Sequence, residues 1–354
     1  MSSDRLQALT DWTNELLDHL LPAKKAPLEL EIVSGDASFR RYFRARLGND
    51  SFIVVDAPPE HEDNHAFVRI SNMMLAANLS VPKVYSVDYE RGFMLLVDLG
   101  DRLYLEVLLE CQKRHAADAA DRLYQAALIA LVNLQAKVDK KRLDPFSKER
   151  LITEMRLFPQ WLCDELLGMS LEAADEALLE HTFTFLADAV ISQPQVAVHR
   201  DYHSRNLMVL DETKFAEGQG PGIIDFQDAV SGAYTYDLVS LLRDCYISWP
   251  QQQVEQWAAF YLGQAHSKGL LEQVTLQTLL RDMDLAGLQR NLKVMGIFAR
   301  LNIRDNKSQY LADIPLVIRY FLDVSAKYRE LDEMRAWFAG KVIPRAKDTL
   351  KLEF

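Results

Sequence analysis

Asp201, Asn206 and Asp225 are the residues of this chain whose types and spacing suit a catalytic site. They lie in His199-Arg200-Asp201-Tyr202-His203-Ser204-Arg205-Asn206-Leu207 and in Ile223-Ile224-Asp225-Phe226-Gln227-Asp228, with Asp225 nineteen residues past Asn206. A carboxylate that takes a hydroxyl proton, an amide five residues on and a second carboxylate after the next strand are what phosphoryl transfer from ATP requires. That reaction is mostly positioning and charge stabilisation. Asp201 reads as the catalytic base, placed within hydrogen-bond reach of the acceptor hydroxyl. Asn206 and Asp225 carry hard oxygens, and Mg2+ takes one or two protein ligands beside phosphate and water. Singly, each residue has a plainer reading: a surface or capping Asp, a turn Asn, a strand-end cap. Their combined spacing favours the chemistry.

Around this triad, His199 reads as a supporting hydrogen-bonding group. Asp237, in Tyr234-Thr235-Tyr236-Asp237, either caps the next helix or ties it back to the catalytic turn. The stretch Ser34-Gly35-Asp36-Ala37-Ser38-Phe39 between two predicted strands could cover nucleotide phosphates with backbone N–H groups and the Ser34 and Ser38 hydroxyls; a simple turn is the alternative. Arg40, Arg41 and Arg44 follow. Strand alternation sends Arg40 and Arg44 to one face and Arg41 to the other, so at least one can meet the phosphates. Arg41 is the candidate, and a solvated strand-face arginine is the plainer alternative. Arg290, Lys293, Arg300 and Arg304 fall on one helical stretch that could meet an anionic or hydroxylated substrate, although a solvated face is the commoner meaning of such a cluster.

The elements that must position these residues change character along the chain. Asp11 to Leu21 has helical periodicity. Leu28–Val33, Arg41–Leu47 and Ser51–Asp56 read as antiparallel strands, His65–Asn78 as a helix, and Lys83–Asp88 and Gly92–Leu96 as two further strands. Beyond a boundary near Leu99 to Arg102, helices are predicted over Tyr104–Glu110, Ala116–Val138, Ser147–Leu167 and Glu172–Gln193, and again after Tyr236. Between them, Leu207–Leu210 and Gly222–Ile224 read as a β-hairpin flanking a polar turn at Thr213–Gly220. The expectation is an α+β chain with domains at 1–99 and 100–354.

Composition sets bounds. The 354 residues are 49% hydrophobic, ample for a core, and the net charge of -11 disfavours a nucleic-acid surface. Three widely spaced cysteines fit neither a disulfide framework nor a zinc site, and no apolar run approaches a membrane span. These features predict a cytoplasmic, monomeric protein with no membrane partner. Only twelve positions separate Asp225 from Asp237, too few for the activation segment and peptide platform of a protein kinase, so a small acceptor fits better.

These segments resemble the aminoglycoside phosphotransferase and choline kinase superfamily over nearly the whole chain. More closely, Ser34–Phe43, Val54–Pro59, Arg91–Gly100, His199–Asn206 and Asn291–Arg300 are similar to the bacterial anomeric kinases of N-acetylmuramate and N-acetylglucosamine. The resemblance implies a protein-kinase-like bilobal fold. Its small N-lobe, 1–99, would hold a five-stranded antiparallel sheet with one helix and bind the nucleotide. Its larger, mainly helical C-lobe, 100–354, would carry the catalytic hairpin and bind the sugar. It implies ATP and Mg2+ as cofactors, an amino sugar phosphorylated at its anomeric hydroxyl in peptidoglycan recycling, and a hinge at Leu96 to Leu99, with Asp98, against the adenine. One departure stands out: where kinase-like proteins carry a phosphate-binding lysine on the third strand, this chain has Val54-Val55-Asp56-Ala57, and an arginine of the second strand would have to substitute.

Two rivals belong to other classes. His199, Asp201, His203 and Asp225 would make a metal-dependent hydrolase if His199-x-Asp201-x-His203 were a strand with alternate side chains on one face. A nucleotide-binding regulator without catalysis would explain the missing lysine, but not the intact Asp201, Asn206 and Asp225.

Overall fold

The computed structural model describes residues 3–20, 29–34, 39–48, 50–211, 213, 215 and 220–351. They divide into two compact units, one containing the residues up to Arg102 together with Met208–Gln227, the other Leu103–Leu207 with the residues from Asp228 onward.

The first unit is built on five antiparallel strands, β1 (Leu30–Ser34), β2 (Arg41–Leu47), β3 (Asp50–Asp56), β4 (Val84–Asp88) and β5 (Phe93–Val97), in the order β1-β2-β3-β5-β4. The register stacks Phe43 on Val54 and Val54 on Leu95. Helix α1 (Ser3–Leu20) covers this row with Leu9, Trp12 and Leu17, forming one core with Phe43, Ala45, Leu47, Phe93 and Leu95. It begins eight residues before the predicted start. Its polar first turns are anchored by tertiary partners, since Arg5 donates to the Asp56 carboxylate at 2.6 Å and to the Arg91 carbonyl at 2.7 Å. Helix α2 (Asn64–Ala76) starts where Asp63 accepts from the Ala66 N–H at 2.9 Å, a standard N-cap. All five predicted strands are present, and the ends differ by one or two residues.

In the second unit, α3 (Tyr104–Lys113), α4 (Ala117–Lys137), α5 (Lys148–Met155) and α6 (Ala173–Ile191) lead to β6 (Gln195–Val198). After the His199–Asn206 segment come the short β7 (Leu207–Met208) and β8 (Gly222–Ile223), which pair with each other. The predicted hairpin is therefore narrower than its apolar runs, and most of its turn lies outside the described residues. Met208–Gln227 groups with the first unit because Val209 N–H donates to Arg102 O and Ile223 N–H to Ser80 O, at 2.8 and 2.7 Å. A methyl group on Gly222 would lie 2.9 Å from the Leu210 side chain and 3.0 Å from that of Leu99, so glycine leaves room for both leucines.

Two features correct the sequence reading. Strand β9 (Val230–Ala233) pairs with β6, from Gln195 opposite Ala233 to Val198 opposite Val230. Val-Ser-Gly-Ala has neither alternation nor length, and its partner strand supplies the order. The helix predicted over Ser147–Leu167 is not continuous: α5 ends at Met155 and the chain resumes as a π-helix over Phe158–Leu166, with Pro159 in its first turn, where the missing N–H costs nothing. Helices α7 (Tyr236–Leu242), α8 (Gln251–Ser267), α9 (Leu276–Asp305), α10 (Ile314–Ser325), α11 (Asp332–Trp337) and α12 (Ile343–Leu350) complete the unit. No described helix is long and apolar enough to cross a membrane.

The long α9 crosses that π-helix at Gly296. A Cβ there would lie 2.3 Å from Leu157 C and 2.6 Å from Phe158 N, backbone atoms that cannot rotate away. Helix propensity alone favours alanine by about 1 kcal/mol, whereas overpacking against backbone costs about 3 kcal/mol, so the clash decides the sign. Gly296→Ala is expected to lower the thermal midpoint by several degrees, read by circular dichroism; an equal or higher midpoint would contradict this packing.

Candidate active site

The segment from His199 to Asn206 is a loop of the second unit, held by two carboxylates, one in the first turn of α7 and one just past its end. Asp237, fully buried, accepts from the backbone N–H of His199 at 2.6 Å and of Arg200 at 2.9 Å. Burial pushes its carboxyl up to about 6, against the pull of His199 and of the two N–H donors. Between the two sequence readings of Asp237, the tie to the turn at His199 and Arg200 is the one observed, and α7 has no side-chain cap. Asp244, just past the other end of α7, accepts from Ser204 N–H at 2.9 Å and from its hydroxyl at 2.5 Å. Sequence reasoning missed Asp244. Nothing in Arg243-Asp244-Cys245 distinguishes it, and its role comes from a partner forty residues away.

Between these anchors Arg200 adopts φ 81, a conformation uncommon for a residue with a side chain and one that concentrates at functional sites. Asp201 N–H donates to His199 Nδ1 at 3.3 Å, which gives the buried His199 its supporting role. Asn206 donates its side-chain amide to the Asp201 carbonyl at 2.9 Å, fixing the amide so that its oxygen is the end presented to a ligand. The second unit thus brings Asp201, Asn206, His199 and Asp237 together.

The charge around Asp201 follows from helix spacing. Arg290 and Lys293, three apart on α9, are both buried; Arg290 donates to Ser240 at 2.6 Å, and Lys293 lies 3.1 Å from both Glu154 and the Tyr236 hydroxyl. Arg200 meets the other oxygen of Glu154 at 2.5 Å. The burial of Asp201 would raise its carboxyl, but Lys293, His203, Arg290 and Arg200 together outweigh that and hold it well below the usual carboxylate range. Two members of the cluster, Arg290 and Lys293, are therefore interior charges, and the solvated face, the commoner meaning of such a cluster, does not apply to them. Glu154 read as one more polar position of a helix, and nothing local marks it.

Asp201 must be ionised to accept a proton, and Lys293 heads the groups that keep it so, with Arg290 on the same helix, Arg200 and His203 in the loop, and Glu154, Tyr236 and Asp237 facing them. Lys293→Gln removes a cation, so the Asp201 carboxyl rises and the acid limb of kcat/KM moves to higher pH, while at neutrality, where the carboxyl stays ionised, this shift alone costs little activity. A profile merely scaled down at every pH would assign Lys293 a packing role only.

The first unit holds the remaining candidates. Asp225 is exposed at φ 64, and Gln227 donates to its Oδ1 at 2.7 Å. Asn206 of the second unit offers an anchored amide oxygen and Asp225 of the first an exposed, oriented carboxylate, and each by itself is a hard oxygen of the kind magnesium takes. Leu96 and Leu99 are buried, and Asp98 pairs through both oxygens with Arg44 at 2.7 and 3.0 Å. Burial would raise the Asp98 carboxyl, and Arg44, the Gly100 N–H and Ser51 hold it down. Arg41 pairs with Asp56. Ser34 ends β1, while Gly35, Asp36 and Ser38 lie outside the described residues.

Residues 29–272, more than half of the chain, match the phosphotransferase enzyme family. The chain belongs to that family. It is 39% identical over 334 residues to the N-acetylmuramate/N-acetylglucosamine kinase of Pseudomonas putida, covering 93% of this chain and 94% of the other. Against the kinase of the same name from Pseudomonas aeruginosa it is 40% identical over 340 residues, covering 94% and 96%. Among solved structures, the choline kinase LicA from Streptococcus pneumoniae has the same fold, with a TM-score of 0.60 at 13% identity over 91% of this chain and 100% of that one. This phosphotransferase is thus a kinase of the protein-kinase-like fold, and the hydrolase alternative fails. Residues 199–203 form no strand, so His199 and His203 do not share a face, and among the described residues no three His, Cys, Asp or Glu side chains are grouped to hold a metal.

Proposed function

We propose that this phosphotransferase moves the terminal phosphoryl group of ATP to the anomeric hydroxyl of N-acetylmuramate or N-acetylglucosamine, returning cell-wall sugars to use. What carries the reading is Asp201, a carboxylate kept ionised in a strained, doubly anchored loop, in a chain similar over nine-tenths of its length to kinases of those two sugars.

In the proposed reaction the anomeric O–H gives its proton to the Asp201 carboxylate as the sugar oxygen forms a bond to the γ-phosphorus. The bond from that phosphorus to the β,γ-bridging oxygen breaks, and ADP leaves with the electron pair. Asn206 and Asp225 are the residues that would hold Mg2+, which when bound draws charge from the phosphate oxygens. His199 and Asp237 act by keeping Arg200 and Asp201 in place. The first unit takes the nucleotide, with Leu96–Leu99 and Asp98 on the adenine side and the Ser34–Ser38 segment, with Gly35 and Asp36, on the phosphates. LicA, of the same fold, has also been solved in complex with AMP. A net charge of -11 and three buried free cysteines support a cytoplasmic enzyme that acts as a monomer on a small molecule and has no nucleic-acid partner.

The experiment is incubation with labelled ATP, magnesium and a panel of amino sugars. An anomeric phosphate is acid-labile and non-reducing, so both properties are expected of the product. A phosphorylated sugar that still reduces would place the transfer on another hydroxyl.

A further inference from the structure

Of the four cations on α9, Arg290 and Lys293 have interior partners, and Arg304 forks onto Asp305 at 2.7 and 2.9 Å. Arg300 is different. Half-buried, it makes no hydrogen bond or ion pair among the described residues; its Nε is shut off from solvent without an acceptor, while Nη1 and Nη2 stay reachable. The charges it feels are those of Arg304, a like charge, and of Asp305, which Arg304 already holds, so the surplus positive charge of this stretch rests on Arg300. Burial and Arg304 both pull its pKa down, as expected of a cation short of an anion. Helix geometry sets its place. Seven residues are two turns to within about 20°, so Lys293, Ile297, Arg300 and Arg304 share one face of α9, with about 10 Å of rise from Lys293 to Arg300. Lys293 stands at the Asp201 end of that face, where it heads the cations that act on Asp201 and meets Glu154. From Met283 to Gly296 every residue of α9 is buried, and Ile297, Arg300 and Leu301 are the first that open to solvent. The face is therefore closed beside Asp201 and accessible two turns further on, all within the second unit.

We propose that Arg300 is the specificity-determining residue of the acceptor site, taking the lactyl carboxylate of N-acetylmuramate while the anomeric hydroxyl meets Asp201. The assignment rests on the acceptor reading above and deepens it. N-acetylmuramate and N-acetylglucosamine share the ring, the acetamido group and the anomeric hydroxyl. They differ in an ether-linked lactyl arm on carbon 3, two ring carbons from the anomeric centre, and that arm ends in a carboxylate. An unpaired cation set along the helix from the base can therefore be used by one sugar and not by the other. The two reachable Nη groups form a planar fork that matches both oxygens of a carboxylate, and such a charge-assisted pair is stronger in a half-buried site than on open surface. Arg290 and Lys293 cannot serve in this way, since their charges already act on Asp201 and on its neighbours.

The test compares the wild type with Arg300→Met and Arg300→Lys in the full-length chain, using N-acetylmuramate, its lactyl methyl ester and N-acetylglucosamine as acceptors. Initial rates give kcat and KM for each, and calorimetric titration gives Kd without turnover. Arg300→Met is expected to raise KM and Kd for N-acetylmuramate about tenfold or more, with kcat within about threefold, while the losses for the ester and for N-acetylglucosamine stay within about threefold. Arg300→Lys keeps the charge without the fork and is expected to recover part of the loss. Equal losses for acid and ester would overturn the proposal. Should Arg300→Met fail to fold, as circular dichroism would show, Arg300→Lys decides: an acid-to-ester preference equal to that of the wild type would overturn it as well. Transfer to a different hydroxyl, with the preference for acid over ester still dependent on Arg300, would sink the anomeric assignment and uphold this one.

Discussion

Replacing Asp201 by Asn is expected to reduce kcat at least about a thousandfold while ATP affinity stays within about twofold. The two side chains have the same shape, and the loop contacts at this position are made by backbone: Asn206 and the His203 N–H both donate to the Asp201 carbonyl. Those contacts survive the substitution, as do the anchors at Asp237 and Asp244. What disappears is the acceptor for the sugar proton, together with the negative charge that balanced Lys293, Arg290 and Arg200. The loss therefore falls on the chemical step. Steady-state kinetics with both substrates saturating measure it, and turnover within tenfold of wild type would remove Asp201 from the role of base.

Asp225→Asn is the second large effect. Asparagine tolerates the left-handed backbone that Asp225 adopts, and the side chain is exposed, so the fold is expected to persist. An anionic oxygen becomes a neutral one, and a hard divalent cation loses most of its attraction to that ligand. We expect kcat/KM to fall about a hundredfold or more and the magnesium concentration for half-maximal activity to rise. A magnesium titration of wild type and variant decides it. Superimposable curves with equal plateaus would mean that Asp225 holds no catalytic metal.

Much of the architecture could be read before any coordinates. The β-branched and aromatic content of Arg41–Leu47 and Ser51–Asp56, and the 3.6-residue repeat after Tyr104, mark segments that bury side chains, and burial leaves a local trace in sequence. Strand β9 left no such trace, since four residues containing Ser and Gly form a strand only because β6 lies beside them. The break at Arg156 was hidden for a similar reason: Pro159 and Gly296 set the local path together, and they are 137 residues apart.

The catalytic segment divides the same way. Its chemistry was present in the order of Asp201, Asn206 and Asp225, because a proton acceptor and hard oxygen ligands are properties of residue types. What those residues are held by is not. Asp244 on Ser204, Glu154 between Arg200 and Lys293, and Glu62 on Arg40 are pairings across 40, 46, 139 and 22 residues, and any of several carboxylates would have satisfied the local pattern. Strand alternation separated Arg40 and Arg44 from Arg41, but only the packed sheet assigned each its partner. The sequence by itself determined the reaction class and the order of elements, since both are written in side-chain chemistry and short-range periodicity. The tertiary structure decided which charges are interior, which carboxylate is kept ionised and which carboxylate each arginine meets, because Coulomb energies depend on distance and burial rather than on position along the chain.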